Sequence, residues 1–147
     1  MNKESDFRNL KTAIKDNDIN QLKYLHENNT NIMNIVDNDG YTPLMHAITY
    51  TNIDCIIFIY ENCCTMHNIN SNGNNALLIA LFYLKYSGED FYDDYINLIQ
   101  IIKYLLENGA DINIVNNQGK SAIDLAFNEE INKIISEYSI INGYVLK

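Results

Sequence analysis

One octapeptide of this chain recurs at a fixed spacing, and the recurrence limits the folds that the chain can adopt. Residues 40–47 read Gly-Tyr-Thr-Pro-Leu-Met-His-Ala, and residues 73–80 repeat the pattern 33 positions later as Gly-Asn-Asn-Ala-Leu-Leu-Ile-Ala. A third copy occupies residues 119–126. A unit as short as this cannot bury its apolar face alone, so the copies are predicted to be structural repeats stacked along one continuous core.

Each copy opens a short helix whose apolar residues follow a helical spacing. Leu44, Ala47 and Ile48 stand at i, i+3 and i+4, and the small Ala lets neighbouring helices approach closely. Equivalent triplets are Leu10, Ala13 and Ile14; Leu77, Ala80 and Leu81; and Ile123, Ala126 and Phe127. A second apolar helix follows each triplet, with stripes at Ile19, Leu22 and Leu25; Ile53, Ile56 and Ile59; Ile99, Ile102 and Leu105; and Ile131, Ile134 and Ile135. The pattern predicts four helix pairs.

The start of the first helix in each pair carries capping residues. Thr42 can cap its helix with the hydroxyl, and Pro43 suits the first helical position, where no N–H partner is needed. Asn75 and Ser121 are predicted to cap the equivalent helices. Polar turns that end in Gly precede these caps at residues 37–40, 70–73 and 116–119, which is the chemistry of a tight reversal.

The ends of the second helices differ from repeat to repeat. Gly109 can close the third with a left-handed residue, and Asn29 tolerates that conformation in the first. Cys63 holds the equivalent position in the second repeat and is poorly suited to it, so that helix is expected to end differently or under mild strain.

The third repeat contains an insertion between its two helices, around residues 85–97. Glu61 follows Ala47 by 14 positions, whereas the matching Glu107 follows Ala80 by 27 positions. The inserted segment is both acidic and aromatic. It is either a tolerated loop that lengthens the flanking helices or a contact site specific to this protein.

Composition limits the classes of partner. The net charge of −9, with no basic stripe, argues against nucleic acid and against an anionic membrane surface, and favours a partner with a basic patch. No stretch approaches the ~18 apolar residues of a membrane-spanning helix. Three cysteines, Cys55, Cys63 and Cys64, do not form a disulfide framework and fit a reducing compartment, so a cytoplasmic location is expected.

Local patterns that resemble chemical sites are weak. Residues 37–40 resemble the opening of a calcium loop but lack its later oxygen ligands and closing Glu. A metal site would have to use Cys63, Cys64 and His67, which lack paired spacing, or the carboxylates Glu89, Asp90, Asp93 and Asp94. No nucleophile–base pair and no phosphate-binding loop is evident. The sequence therefore predicts no enzyme, no cofactor and no metal.

The repeats resemble the ankyrin-repeat family over about residues 7–138. The resemblance is most specific in Gly40-x-Thr42-Pro43-Leu44 and in residues 105–113, which read Leu-Leu-Glu-Asn-Gly-Ala-Asp-Ile-Asn. It departs at Met45, where the family usually has His, and at Asn75-Ala76 and Ser121-Ala122, which replace Thr-Pro. It implies an all-α solenoid of helix–turn–helix pairs joined by short finger hairpins, in one domain with repeats at about 7–36, 37–69, 70–115 and 116–138 and a tail at 139–147.

The short length, the drift of the motifs and the residue bias are similar to ankyrin proteins of large DNA viruses, poxviruses especially. Asn and Ile together supply almost a third of the chain. This likeness implies an inhibitor that occludes a host innate-immune protein, for example of the NF-κB type, in the host cytoplasm or nucleus. Three alternatives stay open: a scaffold or self-assembling subunit, a remnant of a longer array, and a small metal-binding protein.

By the same resemblance, a partner protein is expected to dock on the finger tips and on the exposed side of the first helices. Mapped onto this sequence, that surface consists of Asn38, Asp39, Tyr41, Thr49, Tyr50, Ser71, Asn72, Asn74, Phe82, Tyr83, Asn117, Gln118 and Lys120. Aromatic residues such as Tyr41 and Tyr50 are typical interface anchors, although Phe82 and Tyr83 can equally cover the base of the insertion.

Overall fold

The computed structural model describes residues 3–63, 66–87 and 92–143, and these residues form eight α-helices and one 3₁₀ turn. The helices are α1 (Lys3–Lys15), α2 (Ile19–Asn28), α3 (Pro43–Thr49), α4 (Ile53–Glu61), α5 (Ala76–Tyr86), α6 (Tyr92–Glu107), α7 (Ala122–Leu125) and α8 (Glu129–Asn142), with the 3₁₀ turn at Ile32–Asn34. The predicted all-α solenoid of four helix pairs is confirmed. Over the described ranges, no helix has the length and apolar character needed to cross a bilayer.

The helices form two layers. The first helices of the pairs, α1, α3, α5 and α7, pack on one another in chain order and form the inner layer, while α2, α4, α6 and α8 lie outside them. The predicted triplets of the first three repeats are buried, with Leu44, Ala47 and Ile48 each at 0% exposure. The stripes of the outer helices, such as Ile56 and Ile59, complete one continuous core. Burial of this apolar surface is the main force that holds the repeats together.

The predicted caps of the second and third repeats are confirmed. The Thr42 hydroxyl accepts the Met45 N–H at 3.2 Å, and the Asn75 Oδ1 accepts the Leu78 N–H at 2.9 Å. Met45, which stands where the family usually has His, returns a bond because its sulfur accepts the Thr42 N–H at 3.5 Å. In the last repeat the Ser121 hydroxyl and N–H both donate to the Asp124 carboxylate at 2.8 Å. Asp124 thus provides the hydrogen-bond acceptor for the backbone N–H that precedes α7.

Helix α6 ends as predicted and α2 does not. Gly109 has φ +89°, and the Gly109 and Ala110 N–H groups donate to the Leu106 and Leu105 carbonyls, which is a left-handed C-terminal cap. Asn29 has φ −150°, so the left-handed expectation there was wrong; its side chain instead accepts the Asn31 N–H as the chain enters the 3₁₀ turn. Cys63 follows α4 without a positive φ, so this helix ends differently from α6, as expected.

The insertion in the third repeat is taken up mainly by helix. Helix α5 has 11 residues against 7 in α3, and α6 has 16 against 9 in α4. The two helices therefore absorb most of the insertion, as the loop interpretation predicted. Residues 88–91, which include Glu89 and Asp90, lie outside the described residues.

The last repeat departs from the predicted triplet. Helix α7 ends at Leu125, so Ala126 lies beyond it and Phe127 is 41% exposed, while Ala122 and Leu125 are buried in their place. Asn128 accepts the Ile131 N–H and caps the start of α8. It follows Gly119 by nine positions, whereas Asn52, the equivalent residue before α4, follows Gly40 by twelve. The shorter connection leaves no room for the last turn of the inner helix.

Candidate functional site

Three finger loops share one hydrogen-bonding plan, which depends on an Asx residue at the start of each loop. The Asp37 Oδ1 accepts the Asp39 and Tyr41 N–H groups, and the Asn70 and Asn116 side chains accept the equivalent pairs of N–H groups at 3.0–3.1 Å. A backbone bond from Asp37 N to Tyr41 O closes the first loop, and equivalent bonds close the others. Asx side chains that bond their own loop favour this tight conformation.

A ladder of hydrogen bonds joins each finger to the next. The Ser71 N–H and hydroxyl both donate to the Asp39 carbonyl, at 2.9 and 2.8 Å. The Asn117 N–H and amide donate to the Asn72 and Ser71 carbonyls, each at 2.9 Å. Because each finger is bonded to its neighbour, the loops present one rigid edge.

The first of these fingers is anchored to helix α3 by an acid–imidazole contact. The His46 Nε2 lies 2.9 Å from the Asp37 Oδ2, and the Tyr41 ring lies 5.3 Å from the His46 ring. Burial lowers the pKa of His46, and the nearby Lys11 adds to this, against the opposing effect of Asp37. Burial acts to raise the pKa of Asp37, but hydrogen bonds from the Tyr41 N–H and from His46 outweigh it and leave the pKa below its usual value. The Asp37 oxygens are thus already engaged, and residues 37–40 form a repeat turn.

Three adjoining clefts run across the inner helices and the fingers, and together they are called the inner groove below. The finger cleft, of about 340 Å³, is lined by α5 and by the finger loops, from Tyr41 to Lys120. The central cleft, of about 450 Å³, lies between the end of α3 and the helices α5 and α6. The N-terminal cleft, of about 380 Å³, is lined by α1 and Tyr50. Tyr50 is shared by the last two clefts, and Phe82, Tyr83 and Tyr86 by the first two, so the groove is continuous.

The centre of the inner groove is aromatic and open to solvent. Phe82 lies 4.6 Å from Tyr86 and 6.3 Å from Tyr83 between ring centroids. Tyr50, Phe82 and Tyr83 are 39%, 47% and 39% exposed, and Tyr86 is 66% exposed. Tyr83 lines the finger cleft together with Tyr41 and the central cleft together with Tyr50. Burial raises the pKa of Tyr83, and the Tyr41 and Tyr50 hydroxyls add to this effect. Exposed aromatic side chains gathered in a concave surface are a common property of protein interfaces.

Most of the predicted binding residues line this groove. The finger cleft contains Tyr41, Asn72, Asn74, Phe82, Tyr83, Asn117, Gln118 and Lys120, and the central cleft adds Thr49 and Tyr50. Asn38, Asp39 and Ser71 do not line any of the three clefts; Asp39 and Ser71 bond each other at the finger tips instead. The role in binding of all thirteen predicted residues stays a prediction.

Two parts of the groove lie outside the surface predicted from the sequence. The first is helix α1, which contributes Arg8, Lys11 and Lys15, residues whose i, i+3 and i+7 spacing could have identified a common face. The second is the extended end of α5, with Lys85 and Tyr86. Both residues fall within the predicted insertion, although they continue the helical face of Phe82.

Two kinds of chemical site were considered among the described residues: a cluster of metal ligands and a reactive cysteine. Nowhere in ranges 3–63, 66–87 and 92–143 do three His, Cys, Asp or Glu side chains gather closely enough to hold a metal ion. Cys64 of the proposed metal set lies outside those ranges. Burial, with the carboxylates Asp54 and Asp18, raises the pKa of the Cys55 thiol to about 11, so this thiol stays protonated and unreactive at neutral pH.

Comparison with known proteins identifies the repeats. A family model described as "Ankyrin repeats (3 copies)" matches residues 10–89, and one described as "Ankyrin repeat" matches residues 72–117. The chain is similar to the Ankyrin repeat and SAM domain-containing protein 6 of Rattus norvegicus, with 30% identity over 77% of this chain and 11% of that protein. The same protein of Mus musculus matches equally well. The potassium channel AKT2/3 of Arabidopsis thaliana is 26% identical over 65% of this chain and 14% of its own length. The chain thus spans no more than about a seventh of these relatives.

Proposed function

Because the chain belongs to the ankyrin-repeat family, we propose that it is a non-enzymatic module that binds another protein through the inner groove. Ankyrin repeats in general act as protein–protein interaction modules. The observation that carries the proposal is the convergence of exposed Tyr50, Phe82, Tyr83 and Tyr86 on adjoining clefts of one face. Large, rigid aromatic side chains at the centre of an interface supply much of its binding energy.

The proposed mechanism is steric. The bonded fingers and the stacked inner helices present a surface that needs little ordering on binding, which reduces the entropic cost of association. When a partner binds in the groove, the part of the partner that contacts the groove is no longer accessible to other proteins. The net charge alone predicts a basic patch on this partner, but the local charge of the groove differs from the net charge.

A more specific role rests on the sequence alone. Inhibition of a host innate-immune protein, in the cytoplasm or nucleus of an infected cell, follows from the likeness to ankyrin proteins of large DNA viruses. The similar proteins named above come from rat, mouse and Arabidopsis, so the support for this role is the residue bias and the motif drift of the chain.

The proposal is tested by removing the aromatic centre of the groove. The variant Tyr50→Ala/Phe82→Ala/Tyr83→Ala is compared with Tyr24→Ala/Tyr92→Ala/Phe127→Ala, whose three aromatic residues are also exposed but do not line the groove. A quantitative pull-down from cell lysates follows partners that are retained by the wild type. We expect the groove variant to lose at least about tenfold in partner recovery, and the control variant to keep it.

Thermal unfolding of both variants must first show that they are folded. A partner that is retained equally by the groove variant and the wild type would contradict the proposal and place the binding site on another face.

Self-assembly is the one alternative that a specific observation favours. Ile140 and Ile141, near the end of α8, are 80% and 81% exposed, and adjacent exposed aliphatic residues are a common self-association surface. Sedimentation of the wild type and of Ile140→Ser/Ile141→Ser distinguishes the two functions. A concentration-dependent oligomer that disappears in this variant supports self-assembly, whereas a monomer in both excludes it.

A further inference from the structure

The charge of the inner groove is opposite in sign to that of the chain. The protein carries a net charge of −9, yet the described residues that line the three clefts include five cations, Arg8, Lys11, Lys15, Lys85 and Lys120, and two carboxylates, Glu4 and Asp94. Among the described residues, none of the five cations lies within ion-pair distance of a carboxylate; the ion pairs found there are His46–Asp37 and Lys133–Glu137. Within the described ranges, therefore, the groove cations make no direct ion pair, although Lys120 is near enough to Asp124 to help lower the pKa of that carboxyl.

These cations lie at the two ends of the groove, with the aromatic residues between them. Arg8, Lys11 and Lys15 belong to α1 at the N-terminal cleft, while Lys85 and Lys120 line the finger cleft. Tyr50, Phe82 and Tyr83 lie in the central cleft that joins the two. The arrangement is complementary to a segment whose centre is apolar and whose ends are acidic.

Local charge outweighs net charge in deciding what such a surface binds. The Debye length is about 8 Å at physiological ionic strength, so charges on the outer helices are largely screened from a segment in the groove. Many of the carboxylates lie on those outer helices, including Glu61, Glu107 and Glu137. The net charge, from which a basic patch on the partner was predicted, is a sum over all surfaces of the chain and does not describe the charge of the groove.

We infer that the inner groove binds an acidic polypeptide segment, with its carboxylates on the two cationic ends and its apolar side chains on Tyr50, Phe82 and Tyr83. This inference rests on the proposed function and specifies the partner. A polypeptide is favoured over nucleic acid, the other polyanion with apolar faces. Nucleic acid carries closely spaced charges that need a dense row of cations, and the groove interrupts its cations with an aromatic centre.

Selection from a display library of random peptides tests the inference on the full chain. The wild type is compared with Arg8→Glu/Lys85→Glu/Lys120→Glu in the groove and with Lys23→Glu/Lys103→Glu/Lys133→Glu, whose residues lie on the outer helices α2, α6 and α8. Both variants lower the net charge by the same amount, so the second controls for net charge. Tyr50→Ala/Phe82→Ala/Tyr83→Ala identifies peptides that use the aromatic centre.

We expect the peptides enriched on the wild type to be acidic, with aliphatic or aromatic residues at their centre. Their affinity should fall at least about tenfold on the groove variant, change by less than about twofold on the control variant, and weaken as salt is raised. Thermal unfolding checks that both are folded; Arg8→Gln/Lys85→Gln/Lys120→Gln replaces the groove variant if reversal prevents folding.

Other outcomes separate the inference from the proposed function. Neutral or basic peptides that are lost only on the aromatic variant would overturn the acidic partner and leave the groove as a binding site. No enrichment on the wild type above the aromatic variant would overturn both. A fluorescent single-stranded oligonucleotide that displaces the peptides, and binds more tightly than they do, would replace the polypeptide with nucleic acid.

Discussion

The Nε2 atom of His46 lies 2.9 Å from the Oδ2 atom of Asp37, across the junction of the first finger and helix α3. The other Asp37 oxygen accepts the Tyr41 N–H at 2.8 Å, and the Tyr41 ring packs beside the imidazole. Phe7 of α1 also contacts that imidazole, at 5.7 Å between centroids. One side chain pair thus links the finger, the inner helix of its own repeat and the inner helix of the preceding repeat.

This pair should make the protein less stable on acidification. The pKa of His46 is below its ordinary value of 6.5 and the pKa of Asp37 is below 3.8, so in both cases the unfolded chain binds the proton more readily. The free energy of unfolding should therefore fall first as the pH drops through 6.5, because of His46, and again below 3.8, because of Asp37. Urea unfolding across this range measures both steps.

The variant His46→Gln assigns the first step. It should remove the loss of stability that begins near pH 6.5. His67→Gln, at an exposed position, is the matched His→Gln control. An identical pH dependence in the wild type and in His46→Gln would show that another group is responsible.

The third repeat has a different pair of residues at the equivalent positions, and one of them has a buried donor that no described residue satisfies. Asn70 and Ile79 stand where Asp37 and His46 stand in the preceding repeat, and the Asn70 Nδ2 is buried with no hydrogen-bond partner among the described residues. An unsatisfied buried polar group costs about 1–3 kcal/mol. The Asn70 carboxamide still stabilises the loop because its oxygen accepts two loop N–H groups.

Transferring the pair should therefore show favourable coupling. Asn70→Asp alone places a buried carboxylate that lacks an imidazole partner, and Ile79→His alone removes buried apolar surface, so each should destabilise the protein. The double variant should be more stable than the sum of the two changes by about 1–3 kcal/mol, measured as a double-mutant cycle by urea unfolding. Strict additivity would mean that the new side chains do not meet.

Much of the fold could be predicted because the repeat fixes the register of its own residues. Once Gly40, Thr42 and Leu44 are aligned with their later copies, the caps, the finger loops and the buried stripes follow by position. The prediction failed where the register changes. The segment from Gly119 to Asn128 in the last repeat is three residues shorter than the segment from Gly40 to Asn52 in the second. The difference lies after residues 119–126, so matching those residues to the motif does not reveal it.

The groove was predictable only where the motif reaches it. Tyr41, Asn72 and Lys120 follow from the finger positions. Helix α1 has no preceding Gly-x-Thr-Pro motif to indicate its face, and the contribution of Tyr86 depends on how far α5 continues into the insertion. Helical spacing indicates which residues of α1 and α5 share a face, but packing between repeats decides that these faces join one groove.

Two finger glycines with the same backbone conformation should differ in their tolerance of Ala. Gly73 has φ +75° and Gly119 has φ +73°. A Cβ on Gly73 would lie 2.8 Å from the Asn117 Oδ1 and 3.0 Å from the Asn117 N, whereas nothing lies within 4 Å of a Cβ on Gly119. Gly119→Ala should cost about 1–2 kcal/mol from the left-handed conformation alone.

Gly73→Ala should cost more, because the clash also disturbs the ladder between the fingers at residues 70–73 and 116–119. We expect about 1–3 kcal/mol beyond the cost at Gly119, measured by urea unfolding of both variants. Equal costs would mean that the last finger moves away freely and that the ladder contributes little to stability.

The turn between α3 and α4 holds a residue whose side chain disfavours its backbone conformation. Thr51 has φ +55°, and the Thr51 and Asn52 N–H groups donate to the Ile48 and Ala47 carbonyls, as in a left-handed helix cap. Asn17 has φ +53° at the equivalent place in the first repeat. A β-branched residue is strained in this region, whereas Asn enters it readily.

Thr51→Asn should therefore stabilise the protein, although the Thr51 hydroxyl donates to the Asp94 carboxylate at 3.0 Å and that bond would be lost or remade. A hydrogen bond to a charged acceptor is worth about 1.5–3 kcal/mol, and this one is part-buried, so relief of about 1–2 kcal/mol of strain gives a net gain only when the Asn amide replaces the hydroxyl as the donor to Asp94. We expect that replacement, with a net gain of about 1 kcal/mol in urea unfolding. Thr49→Asn, at the last residue of α3, relieves no such strain and should not stabilise. If Thr51→Asn is destabilising, the contact with Asp94 fixes the lengthened helix α6 against α3 more strongly than the strain opposes it.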